Sequence, residues 1–414
     1  MTTLAFILGR EPALSVAEIA AVCGDAAEWS GALVGREALV VPVRDGVDAR
    51  ALMGRLGGTV KVGDELRITD FGFRDIADII PSRVAALTDH VNGKVCFGFS
   101  VYDLGGGAKQ VSRVRAALRG AAGETKRLLR EAGHSARWVT SREPTLSSVV
   151  VAKNRLLPED GGVELLVLVT ATGVHLAQTL AVQPFEEWGQ RDFGKPSRSM
   201  TRGMLPPKLA RMMVNIGAAS RQPQAERFVV LDPFCGTGTV LLEARALGCR
   251  VIGTDSDPTA ITEARANLAW AGSANDVDLA ALPVERLSSH VAPRSVDAIV
   301  TEPTLGPTRG VHPRGLGALI AELHALYITA FREFARVLKP GGRVVFIAPI
   351  FRTPRGPRTM DITTDVAQFG FRPLPPFPAP LTQHPILRAI THLDYARPDQ
   401  RTGRRVLGFT YEPR

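Results

Sequence analysis

The chain has 414 residues, 45% of them hydrophobic, and 50 Lys and Arg against 41 Asp and Glu give it a net charge of +9. That length can build two or three cored domains, and the basic balance suits a polyanionic partner. The four cysteines (Cys23, Cys96, Cys235 and Cys249) form no C-x-x-C pair, which argues against zinc and a disulfide framework and fits a reducing cytosol.

Residues 4–8 read as a strand, too short and lacking the basic leader of a signal peptide, and no later apolar run approaches a membrane span. Ser15 is expected to open a helix, with Glu18 three residues on completing a capping box. Residues 38–43 read as a strand, 48–56 as a helix and 59–66 as a further strand. Short strands alternating with two helices suggest an α+β, ferredoxin-like plan for residues 1–70.

Up to Gly107 the chain is slightly acidic, and residues 94–100 (KVCFGFS) form an evident core strand. The charge then changes sign. Lys109, Arg113, Arg115, Arg119, Lys126, Arg127, Arg130, Arg137 and Arg142 face only Glu124 and Glu131. Arg115, Arg119, Lys126 and Arg130 have helix-compatible spacing, although Gly120 and Gly123 weaken one continuous helix. Such a run can contact phosphates, or it can be a solvated helix face. Residues 163–170 and 174–180 read as a hairpin about Thr172-Gly173. Residues 183–199, with Pro184, Gly189, Gly194 and Pro196, read as an irregular interdomain linker. Its Arg191, Lys195, Arg198 and nearby Arg202 either meet the polyanion or pack the domains. Pro206 and Pro207 open a helix through Ala218.

Residues 228–238, FVVLDPFCGTG, read as a buried strand running into a glycine turn and a helix, the opening of a nucleotide-binding α/β unit. No Gly-Lys-Ser/Thr follows, which argues against a P-loop, and Leu241 stands where a third dinucleotide glycine belongs. A second strand, 250–255, ends in Asp255, about 20 residues beyond the turn, where a ribose-binding acid sits. Alternatively, Asp255 caps the helix starting near Pro258. Residues 296–301 and 343–347 are further strands, with helices over 258–270 and 317–338. This alternation predicts a doubly wound, mostly parallel sheet.

DPFCGTG, TEPTLG (residues 301–306) and LKPGG (338–342) resemble motifs of S-adenosyl-L-methionine-dependent methyltransferases. More narrowly, the chain resembles the THUMP-containing tRNA guanine-N2 methyltransferases. The likeness runs through FILGREPALSVAEI (6–19), LGGTVKVGDEL (56–66), TLSSVVVAKNRLL (145–157) and RDFGKPSRSMTRGMLPPKLARMMVNIG (191–217). It implies a ferredoxin-like domain over 1–70, a THUMP RNA-binding domain over 71–182, a linker over 183–205 and a Rossmann-like methyltransferase domain over 206–414. That domain would close with a β-hairpin in residues 386–410.

The resemblance further implies S-adenosyl-L-methionine as cofactor, held by Asp232, Phe234, Gly236, Gly238 and Asp255, with Asp278 as the adenine contact. Met204 and Leu205 either flank the cofactor or serve packing. It implies tRNA as partner, held by Arg113, Arg115, Arg119, Lys126, Arg130 and Arg198. The expected product is N2-methylguanosine, with position 10 of tRNA favoured. A cytoplasmic monomer without metal or membrane attachment is expected, and the need for a small activator subunit stays open.

The catalytic residues would be Glu302, Pro303 and Leu305. Related amine methyltransferases carry Asp-Pro-Pro-Tyr where this chain has Glu-Pro-Thr-Leu. The exocyclic amine of guanine is a poor nucleophile, because its lone pair is delocalised into the ring. A carboxylate that accepts its N–H bonds aligns it and takes up developing positive charge. Glu302 can do this one methylene further out. Leu305 offers no π surface, and aromatic stacking is worth roughly 1–3 kcal/mol per base. Two other readings follow. One is a non-catalytic tRNA-binding protein that keeps the fold, with Glu302 a surface acid. The other is a DNA amino-methyltransferase.

Overall fold

The computed structural model describes residues 1–66, 76–197, 204–219, 228–273, 275–307, 315–397 and 402–413. The chain divides into two compact units. The first holds Met1–Val16, Asp25–Glu186 and Ala379–Ala389, and the second holds Ala17–Gly24, Glu187–Pro378 and Ile390–Arg414.

The first unit is built on β1 (Thr2–Leu8), β2 (Leu33–Val34), β3 (Ala38–Val43), β4 (Thr59–Glu65), β5 (Lys94–Asp103), β6 (Ser135–Val139), β7 (Val163–Val169) and β8 (Val174–Val182). Its helices are the start of α1 (Pro12–Cys23), then α2 (Ala49–Arg55), α3 (Ile76–Thr88), α4 (Gly107–Glu131) and α5 (Ser148–Lys153). The strands form a single sheet in the order β2-β3-β1-β4-β8-β7-β5-β6. β7 is buried at every position, its apolar residues by their nature and Glu164 by pairing with buried Lys61. Asp48 opens α2 as expected, its Oδ1 accepting from Arg50 N at 2.8 Å.

Three expectations are corrected here. A boundary at residue 70 does not separate two sheets, because β4 pairs antiparallel with β8, Lys61 opposite Val182 and Asp64 opposite Gln178. Ser15 does not open a helix. α1 begins at Pro12, and the Ser15 hydroxyl donates to Gly58 O at 2.7 Å, while Glu18 accepts from Asn215 Nδ2 at 2.6 Å. Residues 183–199 are not irregular throughout, since α6 (Phe185–Phe193) occupies their middle and buries Trp188.

The second unit continues with α7 (Pro207–Ala218), β9 (Val229–Asp232), α8 (Thr239–Ala246), β10 (Arg250–Asp255), α9 (Pro258–Trp270), β11 (Val277–Ala281), β12 (Val296–Thr301), α10 (Leu316–Val337) and β13 (Leu338–Thr353). β14 (Gly356–Thr359), β15 (Phe371–Pro373), β16 (Leu393–Tyr395) and β17 (Thr402–Tyr411) follow. The sheet order is β11-β10-β9-β12-β13-β17-β15, with β14 on β13 and β16 on β17. The strands from β11 to β13 in the sheet order are parallel neighbours, whereas β17 is antiparallel to both of its neighbours in that order, β13 and β15. An aromatic cluster seals α10 to this sheet, with Phe331 against Phe346 and Phe409, each at 5.3 Å between centroids. The chain winds outward from β9 to β11, then returns to lay β12 on the other side of β9. The carboxyl ends of β9 and β12 therefore flank the topological switch point, where open α/β sheets hold their ligands. The expected closing hairpin is shorter than residues 386–410. Among the described residues, only residues 393–395 pair with residues 404–406, and residues 386–389 belong to the first unit.

Candidate active site

β9 delivers Asp232 to the switch point, and the chain then turns through Gly236 and Gly238, at φ +49° and +81°. Both values lie where a side chain is strained. A Cβ at Gly236 would point into open space, with nothing within 4 Å, while one at Gly238 would meet Ala264 Cβ at 3.2 Å. The turn is held from two sides. Gly236 N donates to Asp255 Oδ2 at 2.9 Å, and Asn267 Nδ2 donates to Thr237 O at 2.9 Å. Asp255 does not cap α9. Asp257 does, accepting from Thr259 N at 2.8 Å. Each Asp255 oxygen takes one backbone N–H, with Asp257 N on Oδ1, and each keeps a further lone pair for a ligand.

Asp232 is buried, and its Oδ1 accepts from Thr301 Oγ1 at 2.6 Å and from Phe234 N at 3.2 Å. Burial pushes its carboxyl up to about 7, against the lowering effect of these hydrogen bonds. Cys235 lies in the same turn, and burial followed by the charges of Asp232 and Asp255 pushes its thiol up. Phe234 packs against the core under β12 and α10.

β12 ends at Thr301, so Glu302 emerges one residue beyond the carboxyl edge. Its carboxylate is nearly buried and meets Arg404 of β17, Nε to Oε1 at 2.5 Å and Nη2 to Oε2 at 3.4 Å. Burial raises the Glu302 pKa, and Arg404 opposes that rise. Pro303 is buried behind Glu302 and Leu305 is half-buried. The Tyr327 hydroxyl donates to Thr304 O at 2.7 Å and fixes the loop from α10. Thr301, Asn267, Tyr327 and Arg404 were not anticipated as site residues.

Asp278 does not join this group. It lies opposite Ile252, three residues short of the β11 end that pairs with Asp255, and its carboxylate meets His290 Nε2 at 3.1 Å. Leu205 is buried, and Met204 O lies 3.5 Å from Arg404 Nη2. Arg191 and Lys195 turn inward, to Glu243 at 3.2 Å and Thr239 Oγ1 at 3.2 Å. Arg198 and Arg202 lie outside the described residues.

In the first unit, α4 runs unbroken through Gly120 and Gly123. Val111, Val114, Leu118, Ala121, Ala122, Thr125 and Leu129 bury one face along its length, which offsets the roughly 1 kcal/mol penalty per glycine. At 3.6 residues per turn, Arg115, Arg119, Lys126 and Arg130 fall in one stripe about 60° wide beside that buried face. Arg113 projects from another face. Arg127 is tied to Glu124 and Glu131.

The UPF0020 family, an RMKL-like methyltransferase domain, matches residues 196–354. A probable tRNA (guanine(10)-N2)-dimethyltransferase of Methanothermococcus thermolithotrophicus is 32% identical over 143 residues, 34% of this chain and 78% of that protein. The chain belongs to this methyltransferase family. The tRNA (guanine(10)-N2)-dimethyltransferase of Methanothermobacter thermautotrophicus is 38% identical over 104 residues, 25% of this chain. The match spans only 28% of that curated relative's length. A solved structure, TrmN from Thermus thermophilus, aligns over 99% of this chain and 100% of its own at 19% identity, with a TM-score of 0.49.

The methyltransferase domain takes in β9 through β13, and with them Asp232, Asp255 and Glu302. Arg404 lies beyond the matched residues. The cofactor of the domain is S-adenosyl-L-methionine, and the residues present fit it. Gly236 leaves open the space a side chain would fill, Asp255 has acceptors to spare, and the carboxyl groups of Asp232, Asp255 and Glu302 suit a cationic ligand. When bound, the cofactor supplies an electrophilic methyl group on its sulfonium. Among the described residues, no helix is long and apolar enough to cross a membrane.

Proposed function

We propose that the chain is a tRNA methyltransferase that forms N2-methylguanosine, at position 10 of tRNA, from S-adenosyl-L-methionine. The observation that carries this reading is the meeting of Glu302 with the Asp232–Gly238 turn at one carboxyl edge. Asp232 Oδ1 bonds Thr301, the residue just before Glu302, at 2.6 Å. Cofactor-binding and acid-bearing strands thus share one hydrogen bond. Asp255 holds the ribose hydroxyls, and Gly236 and Gly238 let the backbone approach the ligand. Glu302 accepts the N–H bonds of the exocyclic amine, aligns its lone pair and takes the proton released as the nitrogen is methylated.

The choice of tRNA is supported by the relatives named tRNA (guanine(10)-N2)-dimethyltransferase and by the basic stripe of α4. The first unit acts in this reading as the RNA-binding half, its THUMP-like portion running from residue 71 to 182. The enzyme works in the cytoplasm as a monomer.

Incubating the purified chain with labelled S-adenosyl-L-methionine and a tRNA transcript, followed by nucleoside mass spectrometry, tests the reading. N2-methylguanosine or its dimethyl form is expected, and replacing the guanosine at position 10 should abolish it. Tight tRNA binding without any methyl incorporation would instead support a non-catalytic tRNA-binding protein. Incorporation into DNA alone would overturn the substrate.

A further inference from the structure

We propose that Arg404 is the positioning residue of this site, holding the Glu302 carboxylate in its charged form and aiming it at the carboxyl edge where the substrate amine must lie. The inference rests on the functional reading above and adds to it a residue that lies outside the family match.

The sheet explains how Arg404 gets there. β13 is parallel to β12, with Thr301 opposite Phe346, and antiparallel to β17, with Pro349 opposite Arg404. Arg404 therefore starts from a strand two places away, about 10 Å off. Only a long side chain crosses that gap, and Glu302, one methylene longer than Asp, reaches out to meet it. The guanidinium pairs with both carboxylate oxygens and its Nη2 lies 3.5 Å from Met204 O, so several contacts fix its plane. The two side chains are 7% and 13% exposed.

A carboxylate so buried, without a countercharge, takes up a proton. It would then donate a hydrogen bond where the reaction needs an acceptor, and it could not receive the amine proton. Arg404 opposes that uptake and leaves a lone pair on each Glu302 oxygen. Stability alone does not call for the pair, because apolar residues of similar volume often replace a buried ion pair without loss. Among the described residues, the other titratable groups bearing on Glu302 are Asp232 and the Tyr327 phenol, one acidic and one neutral, so Arg404 is the cation among them that opposes the effect of burial on its charge.

The test uses the full chain carrying Arg404→Gln or Arg404→Lys. The Glu302 carboxyl is followed by carbon-13 NMR across pH, with Glu302→Gln supplying the assignment. Glu302 should titrate at higher pH in Arg404→Gln than in wild type, and Arg404→Lys, which keeps a charge, should restore most of the difference. The acidic limb of the methyl-transfer pH profile should move up with it. The rate at neutral pH should fall about 100-fold, in the range of general acid–base groups, while calorimetry finds S-adenosylhomocysteine binding nearly unchanged.

An unshifted Glu302 titration in Arg404→Gln overturns the proposal. So does a rate loss equal at every pH, which marks a merely structural pair. If Arg404→Gln does not fold, Arg404→Met, which fills similar space without a charge, carries the test: a lower rate with a displaced acidic limb supports the role, and a wild-type profile rejects it. A wild-type chain that transfers no methyl to tRNA, yet shows the shifted titration, supports the pairing and overturns the substrate reading instead.

Discussion

Gly236 N–H donates to Asp255 Oδ2 at 2.9 Å, so two residues nineteen positions apart form one hydrogen-bonded unit. The acid at the end of β10 sets the shape of the turn after β9 before any ligand arrives. In the proposed function, turn geometry and ribose recognition therefore depend on the same carboxylate.

Asp255→Ala removes both roles. Cofactor affinity should fall at least 10-fold, while stability drops by only about 1 kcal/mol, as for one hydrogen bond. Calorimetry with S-adenosylhomocysteine and a urea melt measure the two. Unchanged affinity would reject the ribose role.

Asp232 sets a pH dependence of known sign. Its carboxyl is pushed up to about 7, first by burial, whereas an unfolded Asp titrates near pH ~4. Between those values the folded state binds more protons than the unfolded one. Stability is therefore greatest below the lower value and falls as pH rises through about 7. Asp232→Asn should flatten that part of the stability–pH curve. In wild type, a cationic cofactor should drive the proton off, so calorimetry near neutral pH should detect proton release that Asp232→Asn lacks. A flat wild-type stability curve would show that Asp232 is ionised throughout.

Glu302→Gln keeps the shape and loses the charge, and turnover should fall roughly 100-fold or more with cofactor binding intact. Glu302→Asp restores the acid of related enzymes. In this fold it withdraws the carboxylate from Arg404 by about 1.5 Å, one C–C bond's length, and should be similarly slow. Wild-type turnover in Glu302→Gln would mean that the carboxylate only ends a strand.

The stripe on α4 predicts a salt effect. Neutralising Arg115, Arg119, Lys126 and Arg130 together should weaken tRNA binding and flatten the log–log salt slope by about one unit per lost phosphate contact. Arg127→Gln should leave the slope alone, because Arg127 already serves Glu124 and Glu131. Filter binding across a salt series reads both, and full affinity in the fourfold variant would make the stripe a solvated face.

Local pattern carried much of this molecule. The strand 38–43 and the proline-opened helix ending at Ala218 appear with the bounds their residues predict. The Asp232–Gly238 turn and Asp255 were legible because strand, turn and acid follow one another in sequence. Arg404 was not, because 102 residues separate it from Glu302 and only the order of β13 and β17 in the sheet joins them. Asp278 misled for a related reason: an acid in a strand says nothing of how far it stands from the strand's end. Lys61 reads as a strand residue within TVKVGDE, yet its ammonium is fully buried against Glu164 and bonds Leu146 O at 2.6 Å. No local period distinguishes such a lysine from an exposed one. Ser15 showed the reverse error, a capping pattern overruled by tertiary contacts.

The segment Ala379–Ala389 belongs to the first unit although it is encoded within the last tenth of the chain. Ribosomes add about 5–20 residues per second, so roughly 200 residues of intervening synthesis delay that segment by about 10–40 s. The nascent first unit thus emerges with one piece missing. A gene fragment ending at residue 186 would express that unfinished form, and the synthesis of residues 379–389, more than the unit boundary, decides when the first half is complete.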